Sequence, residues 1–291
     1  LSRRKNVFLQ QNDFMEFSAY QFTSASLSKR IESITKELPD ESESKTILAQ
    51  LFGFIDLTTL EATDNENSIT DFCNRALAYK QLGHTVAALC IYSPFVEQVK
   101  RLMKDSGIDV ATVACGFPSG QMPLDLKLAE VRFAVDSGAD EVDMVISRGK
   151  FLQGKHHEVF DEIKAVKENC GEAHLKVILE TGELETVANI RKACEIALLA
   201  GADFLKTSTG KVQPAATTEA TLIMLDTIKE YYEKTGLKIG IKPAGGIADP
   251  ATAFQYYQLV KVVLGEEWLN KSLFRIGASR LADKVLDELN D

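Results

Sequence analysis

Three lysines sit in short runs where apolar and polar residues alternate: Lys176 in HLKVILE, Lys206 in DFLKTST and Lys242 in LKIGIKPA. A period of two marks a β-strand with two unlike faces. Leu175, Val177 and Leu179 share one face, leaving Lys176, Ile178 and Glu180 on the other. The same division separates Val142, Met144 and Ile146 from Glu141 and Asp143. It separates Leu205 from Phe204, Lys206 and Ser208, and Ile239 and Ile241 from Gly240 and Lys242. In the first such run, Ile55 and Leu57 oppose Asp56. If the apolar faces pack against helices, the other faces converge, and the lysines meet Asp56, Asp143 and Glu180. Burying charge is costly unless it is paired, so a purely structural interior would carry Val, Ile and Leu instead. The bland alternative is a buried ion-pair network without chemistry.

The chemistry available to such lysines is covalent. An amine attacks a carbonyl only when deprotonated, and the lysine reference pKa is about 10.4. Burial and a neighbouring cation both favour the neutral form. Lys206 and Lys242 fall on consecutive strands with the same parity. Either could be the nucleophile, with the other as the activating cation. Asp143, on the same side, could shuttle protons through a water between carbinolamine and enamine. Metal chemistry is not indicated, because His84, His156, His157 and His174 form neither HxH nor HExxH. His156 and His157 read instead as a surface helix start. There is no P-loop and no GxGxxG after a first strand, so neither motif-based nucleotide site is supported, and no cofactor is expected.

Around these residues the chain alternates strand and helix. Strand candidates fall at 52–58, 85–92, 108–117, 141–147, 174–180, 203–209, 237–244 and 273–278. Helical patterns fill the intervals, and several end on Gly, as at Gly83, Gly107, Gly138, Gly171, Gly201 and Gly236. Such alternation predicts parallel βαβ units with right-handed crossovers. Eight units predict a closed (β/α)8 (TIM) barrel, with a doubly wound open sheet as the rival. Residues 46–291 are assigned to the barrel. Residues 1–45 are assigned to an N-terminal extension, disordered over 1–14 and then helical over 24–38. Residues 40–46 read as a solvated linker or a helix start.

Composition narrows the partners. With 26% charged and 45% hydrophobic residues, the 291-residue chain is ordinary for a soluble globular protein. The five scattered cysteines include no CxxC, which suits a reducing cytoplasm. A net charge of −9 argues against nucleic acid. No apolar run is long enough to span a membrane. Any anion site must therefore be local. Barrels often hold phosphate in the loops after the last strands, at helix N-termini. Here those loops read STGK with Gly210 and Lys211, PAGGI with Gly245 and Gly246, and GAS with Gly277 and Ser279. The glycines allow close approach of main-chain N–H groups, and Ser279 is expected to cap the last helix.

Taken together, FIDLTTL (54–60), EVDMVI (141–146), LKVILETGEL (175–184), DFLKTSTGK (203–211), IKPAGGI (241–247) and RIGAS (275–279) resemble the deoxyribose-phosphate aldolase family. The likeness runs from about residue 50 to 280. It implies that Lys206 forms the Schiff base, that Lys242 tunes it and that Asp143 relays protons. It places Lys176 in the charged network and Asp56 and Cys90 against substrate. Lys211, Gly245, Gly246, Gly277 and Ser279 are placed at the phosphate. The implied reaction is reversible cleavage of 2-deoxy-D-ribose 5-phosphate to D-glyceraldehyde 3-phosphate and acetaldehyde, by an enzyme expected to be a homodimer. Arg280 stands where some members have a second Ser, and CIYSPF lacks the Pro that some carry directly after the Tyr. The sequence ends at LDELND, without the terminal tyrosine of some members. Another Schiff-base aldolase acting on a different sugar, and a sugar-phosphate-binding protein without turnover, remain as alternatives at this stage.

Overall fold

Period-two runs become strands and 3.6-period runs become helices in a computed structural model, which describes residues 15–36 and 41–290. The expected disorder over 1–14 lies outside the described residues. Helix α1 (Ser24–Thr35) is opened by Thr23, whose hydroxyl accepts from the Ser26 N–H in a capping box. Helix α2 (Glu41–Gly53) leads into β1 (Ile55–Thr58). Of the stretch 40–46, read as a linker or a helix start, the described residues 41–46 open this helix. The barrel then continues through α3 (Glu66–Gln81), β2 (Ala88–Tyr92), α4 (Val96–Leu102), β3 (Asp109–Ala114), α5 (Leu124–Asp136) and β4 (Glu141–Val145). Next come α6 (Arg148–Leu152), α7 (His156–Asn169), β5 (His174–Ile178), α8 (Thr181–Leu184), α9 (Val187–Leu199) and β6 (Phe204–Lys206). The chain closes with α10 (Thr218–Thr235), β7 (Gly240–Lys242), α11 (Pro250–Leu264), β8 (Ile276–Ala278) and α12 (Leu281–Asn290).

Local chemistry sets the helix ends. Thr217 and Asp249 cap α10 and α11, and Pro250 supplies the first residue of α11. Gly236 ends α10 with φ +72° and returns its N–H to the Tyr232 carbonyl. The His156–His157 pair does open a helix at the surface, with the His157 side chain 88% exposed.

The eight strands are parallel, in the order β7-β6-β5-β4-β3-β2-β1-β8. Bridges Ile241–Phe274 and Ala244–Gly277 join β7 to the β8 segment and complete the barrel. This excludes the open doubly wound sheet. Ile55, Leu57, Val142, Met144, Leu175, Val177, Leu205 and Ile241 all belong to one buried cluster with helix residues such as Ile69, Val131, Ile163 and Leu222. Register does the rest: Asp143 pairs with Lys176, Lys176 with Phe204, and Lys206 with Lys242. Interior residues thus lie in shared layers. Gly240 leaves room for the Phe204 ring, since a Cβ there would stand 2.2 Å from Cε1. Above that ring lie Lys176 Nζ at 5.7 Å and the Arg275 guanidinium at 5.9 Å.

The extension is docked rather than separate. α1 packs against α10 and α11. Arg30 makes two hydrogen bonds to Asp226 of α10, at 2.7 and 2.9 Å, and the Tyr20 hydroxyl donates to the same carboxylate at 2.6 Å. Leu27 is fully buried.

Candidate active site

Asp143 is the hub of the barrel interior. One carboxylate oxygen accepts from Lys206 Nζ and from Lys242 Nζ, both at 2.7 Å. The other accepts from Lys176 Nζ at 3.2 Å. Lys242 also pairs with Asp56 at 2.6 Å. Lys176 bonds to Glu141, and Arg275 joins Asp56 at 2.6 Å to Glu141 at 2.9 Å. Every member of this network is buried. Cys90 Sγ stands 4.0 Å from Asp143.

Charge within the cluster is fixed by its pairing. Burial pushes the Asp143 carboxyl up, but Lys176, Lys206 and Lys242 outweigh it and hold it well below the usual carboxylate range. Burial pushes Lys242 down, but Asp143 and Asp56 outweigh it and hold the ammonium well above its ordinary value. Burial raises the Cys90 thiol, which therefore stays protonated and is no nucleophile at neutral pH.

The lysines differ in access. Lys242 and Lys176 are fully buried, whereas Lys206 is 3% exposed and lines a cavity of about 330 Å³. The same cavity is lined by Gly210, Lys211, Gly245, Gly246, Gly277 and Ser279, the residues of the three loops singled out above. Among the described residues, the N–H groups of Gly210, Gly246 and Ser279 donate to no protein acceptor. Gly245 has φ +82°, and a Cβ there would stand 2.9 Å from Gly210 Cα, so the two loops touch through glycine. An amine at the floor and main-chain donors with a lysine at the rim suit a phosphorylated carbonyl compound.

Comparison with known proteins agrees. Residues 52–261 match the family model described as DeoC/LacD family aldolase. Deoxyribose-phosphate aldolase of Homo sapiens is 45% identical over 251 residues, covering 82% of this chain and 79% of the human one. That of Mus musculus is 40% identical over 287 residues, covering 94% and 90%. The chain belongs to the DeoC/LacD aldolase family. Among solved structures, "QR15, an Aldolase" is 29% identical with a TM-score of 0.65, covering 81% of this chain and 96% of the other. The Aeropyrum pernix deoxyribose phosphate aldolase shares the fold, with a TM-score of 0.66 at 22% identity over 93% and 99% of the two chains.

Three features of this DeoC/LacD aldolase depart from the sequence reading. Glu180 does not join the lysines. Its backbone is left-handed, with φ +56°, and its carboxylate turns to Thr209 and Arg148. Strand β5 ends at Ile178, so alternation no longer applies two residues later. Arg275 was not anticipated as a member of the charge network, although it has the inward parity of Gly277, two residues on. Ser279 does not immediately precede the last helix, which starts at Leu281; Arg280 does, and both line the cavity. Thr58, Glu61 and Thr209 also line the cavity, although none of them was singled out as a site residue.

Proposed function

We propose that this chain is a deoxyribose-phosphate aldolase in which Lys206 is the Schiff-base nucleophile. The supporting observation is its position: Lys206 alone among the three interior lysines lines the cavity, 2.7 Å from Asp143. The neutral amine attacks C1 of the open-chain 2-deoxyribose 5-phosphate, and loss of water from the carbinolamine gives the imine. The protonated imine accepts the electron pair of the C2–C3 bond as it breaks.

The C3 hydroxyl gives up its proton, and C3 becomes the aldehyde carbon of the departing glyceraldehyde 3-phosphate. The pair from C2–C3 forms the enamine on Lys206. Protonation at that carbon and attack by water then release acetaldehyde and free amine. Asp143, ionised and shared with two ammonium groups, relays protons through water during these steps. Lys242 supplies the fixed cation that activates the neighbouring amine. Lys211 and the N–H groups of Gly210, Gly246 and Ser279 hold the phosphate.

Borohydride reduction with 2-deoxyribose 5-phosphate should trap a covalent adduct on the peptide containing Lys206. Lys206→Ala should lose the adduct and about a thousandfold or more of kcat. Activity should survive EDTA. An adduct on Lys242 would reverse the assignment. A homodimer and a cytoplasmic location belong to the same proposal, and light scattering of the full chain reads the assembly's mass. Among the described residues, no helix is long and apolar enough to cross a membrane.

A further inference from the structure

The left-handed turn at Glu180 gives this carboxylate a place outside the lysine cluster. Its oxygens accept from the Thr209 main-chain N–H at 3.2 and 3.3 Å and from the Thr209 hydroxyl. The Lys211 N–H donates in turn to the Thr209 hydroxyl oxygen at 3.1 Å. On the other side Arg148 pairs with Glu180 at 3.2 Å and with Glu183 at 2.6 Å. The Arg148 guanidinium also donates to the carbonyls of Pro118, at 3.1 Å, and Ser119, at 3.3 Å. One carboxylate thus ties the loops after β3, β4 and β5 to the loop after β6. The Glu180 side chain is fully buried, and burial raises its pKa. A glutamate seldom adopts this backbone conformation, and its local cost must be offset by what the side chain holds.

What it holds is the cavity wall formed by Thr209, Gly210 and Lys211. With Thr209 N–H bound to Glu180 and Lys211 N–H bound to Thr209, these three lining residues are left with the Gly210 N–H and the Lys211 ammonium to offer a ligand. The ammonium makes one loose pair, with Glu61 at 3.4 Å. We propose that Glu180, braced by Arg148, is a positioning residue for the phosphate end of the substrate. It fixes Thr209 so that Gly210 and Lys211 meet the anion. This inference rests on the reading of the loop as part of a phosphate site.

The test compares 2-deoxyribose 5-phosphate with unphosphorylated 2-deoxyribose as substrates. Glu180→Ala should raise KM for the phosphorylated sugar about tenfold, the loss expected for a charge-assisted hydrogen bond, and leave kcat nearly unchanged. Its kcat/KM for 2-deoxyribose should match that of the unsubstituted chain. Glu180→Gln, which can still accept from Thr209, should recover most of the loss. If Glu180→Ala does not fold, Arg148→Gln and Thr209→Val give the same readout, each predicted to show the phosphate-selective rise in KM. An unchanged KM, or equal losses on both sugars, overturns the proposal. Failure of the underlying phosphate reading looks different: Lys211→Ala would then leave KM for the phosphorylated sugar unchanged.

Discussion

A single carboxylate, Asp143, meets three lysine side chains, so it matters for stability as well as chemistry. Replacing one partner of a buried ion-pair network leaves the others uncompensated, typically at about 3–5 kcal/mol. Asp143→Asn should therefore lower unfolding free energy by about that amount at pH 7 and abolish proton relay. The pH dependence has a definite sign. The folded carboxyl lies well below its ordinary value, so its contribution is present above the unfolded pKa of about 3.9. That contribution is lost as pH falls through the folded value. Urea denaturation should show the gap between the two chains narrowing in strong acid. A constant gap would mean that Asp143 is not ionised in the fold.

Strand register brings Lys206 beside Lys242, and the close approach of β7 and β8 keeps Lys242 in place. Gly277 is one point of this closure. A Cβ there would stand 2.7 Å from the Ala244 Cβ and 3.2 Å from Lys242 Cε. Gly277→Ala should cost about 1–3 kcal/mol, the usual range for overpacking, and lower kcat by displacing Lys242. Equal kcat and equal urea midpoints would show that β8 moves freely. The sequence made the strands legible because period-two alternation is a local property. It misplaced Glu180 because a left-handed residue breaks the alternation, and nothing local announces a left-handed glutamate. Arg275 carried the right parity, but its partners Asp56 and Glu141 come from β1 and β4, far away in the chain.

Across the molecule, the N-terminal segment serves the barrel wall. Tyr20 and Arg30 converge on Asp226, while the Arg191 guanidinium lies over the rings of Phe17, at 4.9 Å, and Tyr20, at 5.2 Å. These contacts lie on α9 and α10, on the outer layer rather than at the cavity. Arg30→Ala should cost about 1 kcal/mol, as for a well-formed but partly exposed pair, and leave kcat and KM unchanged. Thermal unfolding and steady-state kinetics check both halves. A change in KM would tie the extension to the active face.

The inward lysines, the barrel and the three glycine loops that line the cavity were all written in residue types and short-range spacing. Local alternation and turn glycines report which way a side chain points and where a helix stops. Choosing between Lys206 and Lys242 as the amine that reaches the cavity required the tertiary structure. Both have the same parity and occupy paired positions, so no local pattern separates them. Burial separates them: Lys242 is enclosed between Asp143 and Asp56, while Lys206 opens to the cavity. The role of Glu180 also appeared only in three dimensions, because it depends on one left-handed residue and on loops that meet across the barrel's active face.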